Sequence, residues 1–390
     1  MSNKTCGILA LTGLLGLSAF LLNCGTSNSR PSGVLFVASQ GASNVGSYAI
    51  NLSKGSLSLI NANATTDTPP TSVVLDKSGK VVFVLNTGSI TAYTINSNGT
   101  LSTPTSTSLP DPNPVAFTTD PAGKFLFVAS QGAASLDPHL SVFSIQSGST
   151  ALTPVGSPIA LTRVPTSVAT ITDPKGNTLL YVTNNKDLVG SLDNTLSQYT
   201  VDSTGALTLH EANGPYLTAF VPSAVLAVST TPTGVAGGVF IYVTNATPNN
   251  TANIFQLCTA ITATCPQQSD IDNFFLNPVT PAVAIGGTNP VALTADPTNN
   301  FLYIVDHDSS DVRGFRINPT TGALSALSPP DMSTGLGPVA LTMHSSGKFL
   351  FVSNNGASSI SGFNVDTTTG ALSLPTTVTS SAQPYGLAAK

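Results

Sequence analysis

The amino-acid sequence predicts an all-β fold. It is a seven-bladed β-propeller with four antiparallel strands per blade, its ring closed by a C-terminal strand that joins the N-terminal blade. Three observations predict it. The chain writes nearly the same segment three times, as "GVLFVASQG" at 33–41, "GKFLFVASQG" at 123–132 and "GKFLFVSNNG" at 347–356. The aromatic of that segment recurs as Phe36, Phe83, Phe127, Tyr181, Tyr242, Tyr303 and Phe351, at intervals of 47, 44, 54, 61, 61 and 48 residues. A period of this size marks a propeller or solenoid. The two ends of the chain are complementary fragments of one unit, as a closed ring requires.

Each unit reads as four strands. The first follows a proline, as in "PTSVVL" (70–75), "PTSVATIT" (165–172), "PSAVLAVS" (222–229) and "PVALTM" (338–343). Proline suits the first residue of a strand, where no ladder donor is missed. A turn such as "DPAGK" (120–124) follows. The second strand is the repeated apolar segment, as expected where both faces are covered. The third alternates, with Tyr48/Ile50, Tyr93/Ile95, Phe143/Ile145, Tyr199/Val201, Phe255/Leu257, Phe315/Ile317 and Phe363/Val365. Period two is the signature of a strand. Turns such as "DSTGALT" (202–208) lead into the fourth. The N-terminal unit starts at its second strand, and "QPYGLAA" (383–389) is a lone first strand. No segment outside the N-terminal stretch shows helical periodicity.

Only 8% of residues are charged, 41% are hydrophobic, and Glu211 is the single glutamate. With a net charge of −5 and no basic stripe, nucleic acid is excluded as a partner. Lys4 precedes an apolar run over 8–22, short of the roughly 20 residues a membrane span needs. Residues 1–23 read as a signal peptide, 24–32 as a flexible tether and 33–390 as the propeller. Cys24, in "LLNCG", resembles the lipobox cysteine of bacterial lipoproteins, with Leu21 at the usual apolar position and Asn23 departing from the usual small residue. That resemblance implies lipidation at Cys24, a membrane partner through the lipid, and an exported protein of the cell envelope, at the outer membrane or cell surface. Cys258 and Cys265 remain in "QLCTAITATCP", at the third-to-fourth strand turn of the fifth unit. Export favours a disulfide between them, stapling that hairpin, over a zinc site.

"LYVTNN" (180–185) and "IYVTNA" (241–246) carry the tetrapeptide of the YVTN propeller repeat family. "HSSGKFLFVSNN" (344–355) and "DTTTGALS" (366–373) resemble blades of the lactonase family, typified by the propeller-type 6-phosphogluconolactonase. The resemblance spans all seven units. It implies the fold and, more loosely, hydrolysis of a lactone, because a fold hosts many functions.

Propeller geometry gathers the loops between strands two and three, and the blade-to-blade connections, at one face. Those loops hold Asp137 and His139, then Lys186, Asp187 and Asp193, then Asp306, His307, Asp308 and Asp311; the connections hold Asp111, Arg163, His210, Glu211 and Asp331. In a chain so poor in charge this face is the candidate binding site. "DHDSSD" (306–311) offers hard oxygen ligands for Ca²⁺, or is a solvated acidic loop; no metal is assigned and no cofactor is expected. For lactone hydrolysis, His139, His210 or His307 would be the base, oriented by Asp137, Glu211 or Asp308, with Arg163 holding a carboxylate or phosphate. His344 aligns with Asp120 and Asp296 in the opposite-face turns and reads as structural. Two functional readings stand: an envelope-anchored module binding a small molecule or a protein at the channel mouth, or an extracytoplasmic lactone hydrolase. A surface-layer component is a third.

Overall fold

A computed structural model describes residues 31–133, 136–211, 215–230, 238–263 and 265–390. Residues 1–30, where a signal segment and most of a tether are expected, Cys24 included, lie outside the described residues. The rest folds into seven antiparallel sheets, as predicted. The inner strands are Pro384–Ala389, Pro70–Leu75, Pro114–Thr119, Arg163–Thr172, Pro222–Ser229, Pro290–Ala295 and Pro338–Met343, for blades 1 to 7. Blade 1 joins the chain ends. Its inner strand Pro384–Ala389 pairs with its second strand Val34–Ser39, Leu35 facing Ala389 and Phe36 facing Ala388. Its third and outer strands, Asn44–Ile50 and Leu57–Thr65, complete the sheet.

Second strands are buried on both faces, and all seven repeat aromatics are 0% exposed. Alternate side chains pack against the blade before and the blade after, so the apolar residues form seven clusters, one at each blade interface. Burying one such aromatic contributes about 1.5–3 kcal/mol. In two blades the tyrosine hydroxyl adds a polar link. Tyr242 Oη donates to the Gly322 carbonyl at 2.8 Å, and Tyr303 Oη to that of Gly370 at 2.7 Å, each in a turn of the following blade.

Each inner strand has one proline with a register shift just after it; in six blades that proline faces the last residue of the second strand, and in blade 4 Pro165 faces Asn184 within the longer strand Thr178–Asp187. Two residues past that proline the side chain is always small: Gly386, Ser72, Ala116, Ser167, Ala224, Ala292 or Ala340. Inner strands of adjacent blades meet there, and a Cβ on Gly386 would lie 2.7 Å from Ser72 Cα. Hydroxyls tie blade to blade at this level: Thr166 Oγ1 donates to Pro222 O, and Ser223 Oγ to Pro290 O.

The opposite face is built from capped turns. Asp76, Asp120, Asp173 and Asp296 are buried and accept backbone N–H groups of their own turns. His344 replaces them in blade 7, its Nδ1 accepting from Ser346 N at 3.1 Å. Its structural reading holds.

Blade 5 departs from expectation in two respects. The connection from Thr251–Leu257 to Leu276–Ala284 contains a one-turn helix, Gln268–Asp272, too short to leave a periodic signal. The Cys258–Cys265 disulfide forms, with Cα atoms 5.8 Å apart, but it does not cross the hairpin. Cys258 N donates to the Phe275 carbonyl, so the residue opposite Cys258 is Phe275. The disulfide closes a small loop inside the connection.

Candidate functional site

The strand two–three loops and blade connections do share one face, called here the upper face. A recurrent socket lies at the top of the blade interfaces. In blades 2, 4, 5 and 7 the second strand carries, at or near its upper end, an asparagine whose side-chain amide donates to groups on the third strand. Asn86 Nδ2 binds Ser89 and Thr91 hydroxyls, Asn184 binds Thr195 and Ser197, Asn245 binds Thr251 and Asn253, and Asn354 binds Ser359 and Ser361. The asparagine of the YVTN tetrapeptide is therefore a packing residue, an amide that saves buried hydroxyls from lacking a partner.

Most of the predicted site charges turn out to furnish these sockets. In blade 6 the asparagine is replaced by Asp306, which is 0% exposed, and the hydroxyls by Asp311 and Arg313. Arg313 Nε lies 3.3 Å from Asp306 Oδ2, outside hydrogen-bond geometry, while its Nη2 donates to Asp311 at 2.9 Å. Burial first, then the neighbouring Asp311, push the Asp306 carboxyl up to about 8. The blade connection crosses directly above it at Gly287, where a Cβ would lie 2.1 Å from Asp306 Oδ2.

In blade 3, His139 and Ser141 point at blade 2. Ser141 Oγ donates to Asp111 at 3.0 Å, and His139 Nδ1 sits 3.2 Å from the same carboxylate, off the line of a hydrogen bond. The carboxylate beside His139 is thus Asp111, from the blade connection. Asp137, expected to orient it, lies exposed in the loop.

In blade 4, Arg163 Nε donates to Asp193 at 2.6 Å and its Nη1 to Glu211 at 2.8 Å, while Ser197 Oγ also donates to Glu211. Burial works against the Arg163 charge, but hydrogen bonds and charge from Asp193 and Glu211 hold its pKa above the ordinary value. The guanidinium thus holds two carboxylates, one through Nε and one through Nη1. A cleft of about 110 Å³ beside it is lined by Tyr199, Leu207 and Ile159. His210 follows directly on the strand Leu207–Leu209, its N–H donating to the Gln198 carbonyl, and its side chain turns away from Glu211. Its Nε2 lies 3.0 Å from Thr200 Oγ1, its ring packs edge-on against Phe274 at 5.0 Å, and burial lowers its pKa. His210 and Glu211 therefore do not form one site. Lys186 is exposed, and Asp187 caps the turn to Ser191.

The propeller axis holds a cavity of about 580 Å³, lined by all seven inner strands and, at its upper rim, by Asn289, His307 and Asn355. The lining is small and neutral: Thr71, Ser72, Thr166, Ser167, Ser223 and the alanines and valines between them. The titratable groups in it are His307 and Tyr385, and neither Lys nor Arg lines it. His307 occupies the rim position that Gln131 and Asn355 fill in other blades, where their amides donate to Pro165 O and Pro384 O. His307 Nδ1 lies 2.6 Å from Asp308 Oδ1, which also accepts from Asn289 Nδ2 at 3.2 Å. These hydrogen bonds, that from His307 first, hold the Asp308 pKa below the usual value. His307 Nε2 is left toward Gly337 on the next blade. Of the three expected histidine–carboxylate pairings, His307 with Asp308 is the one that forms as expected and borders the cavity.

"DHDSSD" does not close into an oxygen cage. Asp306 faces blade 5 beneath Gly287, Asp308 holds His307, and Asp311 holds Arg313. Among the described residues no three of His, Cys, Asp or Glu come together as a metal-ligand set.

The sequence of residues 86–170 matches a family described as "Lactonase, 7-bladed beta-propeller". No curated protein matches the chain in sequence. Among solved structures, a candidate 6-phosphogluconolactonase of Bacteroides fragilis superposes with a TM-score of 0.70 at 16% identity, over 93% of this chain and 99% of that one. The periplasmic gluconolactonase of Pseudomonas aeruginosa superposes with a TM-score of 0.70 at 15% identity, over 92% and 98%. A candidate 6-phosphogluconolactonase of Bacteroides uniformis does so with 0.70 at 13%, over 92% and 99%. At these identities the likeness is one of fold. By its architecture the chain is a seven-bladed β-propeller, and its residues 86–170 match the lactonase family of such propellers.

Proposed function

We propose that this protein is an exported, lipid-anchored propeller that binds an uncharged polar small molecule in the mouth of its axial cavity, without turning it over. The observation that carries the reading is the composition of the cavity wall. A phosphorylated or carboxylated sugar buried there would need a cationic partner, since an unpaired buried charge is costly. Arg163 is engaged by Asp193 and Glu211, Arg313 by Asp306 and Asp311, and neither lines the cavity. Neutral hydroxyls, His307 and the rim asparagines suit a neutral polyol or sugar lactone. Export and anchoring rest on the 8–22 apolar run and Cys24, and agree with the periplasmic address of the Pseudomonas relative. The test is calorimetric titration of neutral sugars and lactones against their phosphates, with turnover followed as acid release. Binding of neutral compounds without acid release is expected. Steady acid release from any lactone defeats the reading.

One observation favours a second reading, lactone hydrolysis: the His307–Asp308 pair at the cavity rim. Asp308 would hold Nδ1, and Nε2 would take a proton from water attacking the lactone carbonyl. The same proton would then pass to the departing ring oxygen, giving the hydroxy acid. Acid release abolished by His307→Asn would establish it.

A further inference from the structure

The charges of the described chain divide unequally between the two faces. On the upper face Asp67, Asp111, Asp137, Asp187, Asp193, Glu211, Asp306, Asp308, Asp311 and Asp331 stand against three cations, Arg163, Lys186 and Arg313. The lower face carries the other eight: Lys54, Lys77, Lys80, Lys124, Lys175, Arg316, Lys348 and Lys390, on every blade but the fifth. All of these except Lys390 are exposed. The lower face also holds eight carboxylates and is formally neutral, where the upper face carries −7; those of Asp76, Asp120, Asp173 and Asp296 are buried behind the turns, and Asp202, Asp270, Asp272 and Asp366 stand against seven exposed cations. Lysine side chains thus dominate what the lower face presents to solvent.

The chain enters the propeller at this same face. Gly33 O accepts from Ile50 N at the lower end of blade 1, and Gly33 lies against His344 and Lys390. Seven residue steps separate Pro31 from Cys24, a reach of at most about 25 Å.

From this we infer that the lower face is a membrane-docking surface for anionic phospholipid headgroups, so that the cavity mouth at His307 points away from the bilayer. A negative lipid surface attracts each nearby lysine and repels the carboxylate-rich upper face. The attraction decays over a Debye length of ~10 Å at 0.1 M salt, and the tether lets the lower face approach the surface to within that distance. The inference rests on the anchored reading only for the presence of a membrane beside residue 31.

The experiment removes that dependence. The propeller from residue 31, whose ring closes without the preceding segment, is held by an N-terminal histidine tag on vesicles containing nickel-chelating lipid. A fluorophore is placed on Thr367→Cys at the lower face or Ser309→Cys at the upper face and quenched by nitroxide-headgroup lipid. With phosphatidylglycerol in the vesicle, the Thr367 label is expected to be quenched and the Ser309 label spared. High salt, neutral vesicles, or Lys77, Lys80, Lys124 and Lys348 changed together to Ser should each abolish the difference. Untethered binding to the same vesicles should fall roughly tenfold or more in the lysine variant. Equal quenching of the two labels, deeper quenching at Ser309, or indifference to the lysine changes overturns the inference. Displacement by inorganic phosphate at constant ionic strength also overturns it, by revealing a discrete phosphate site. Lipidation of Cys24 is read separately from the mass of the mature protein, so the two ideas fail independently.

Discussion

Asp306 Oδ2 lies 3.3 Å from Arg313 Nε, in the socket where Asn354 of the next blade donates to two serine hydroxyls. Folding raises the Asp306 pKa above its unfolded value of about 3.9. The stability its neutral form contributes is therefore present below that value and lost as pH rises through about 8. Asp306→Asn restores the amide of the other blades and has no charge to lose. Its melting temperature relative to wild type should climb between pH 4 and pH 8, by a few degrees overall. A constant difference across that range would show that Asp306 is ionised throughout.

Arg163 is a structural ion here, so its removal should act on folding. Arg163→Met strands Asp193 and Glu211, each less than a third exposed, and should cost about 1–3 kcal/mol. Chemical denaturation measures it. Affinity for any ligand in the axial cavity should stay within about twofold. Loss of binding at unchanged stability would return Arg163 to the role of a substrate clamp.

The disulfide closes a loop with a sequence separation of 7, worth about 2–3 kcal/mol on the chain-entropy model. It lies inside a connection, so much of that effect should be local. Cys258→Ser with Cys265→Ser should speed amide exchange across 258–275, and leave the exchange of Thr251–Leu257 nearly unchanged.

Tyr303 Oη donates to a carbonyl in the next blade, that of Gly370. Tyr303→Phe leaves that buried acceptor without its partner and should lower stability by about 1 kcal/mol, read from the midpoint of denaturation. Tyr181 spends its hydroxyl inside its own blade, accepting from Gln198 Nε2. Tyr181→Phe leaves no inter-blade acceptor stranded, and the two variants should differ accordingly.

The fold was legible because its determinants repeat. Seven buried aromatics, a proline at or near the start of each inner strand and two complementary chain ends all lie in the sequence and all recur in the structure, where Pro165 alone stands two residues inside its strand. The sorting of charge onto one face was legible from topology as well. What those charges do was not. Arg163 meets Asp193 and Glu211 across 30 and 48 residues, and no local pattern announces either pairing. Asp111, the carboxylate beside His139, comes from a connection 28 residues away. A subtler signal lies in the sequence as well. Asn followed by Ser or Thr at the first and third positions of the next strand, as in "VFVLNTGSIT" and "FVSNNGASSIS", reads as a socket once blades are aligned. In that frame Asp306, Asp311 and Arg313 stand out as a replaced socket. His307 then emerges as the odd member of a rim otherwise made of amides and small residues.

The most direct test of the functional account is titration of the axial cavity with a neutral sugar lactone and with its phosphate, in wild type and in His307→Asn. The account predicts that the neutral compound binds, that the phosphate binds at least tenfold more weakly for want of a cation in the wall, and that His307→Asn weakens the neutral compound without changing stability. Tighter binding of the phosphate, or binding untouched by the His307 change, would contradict it.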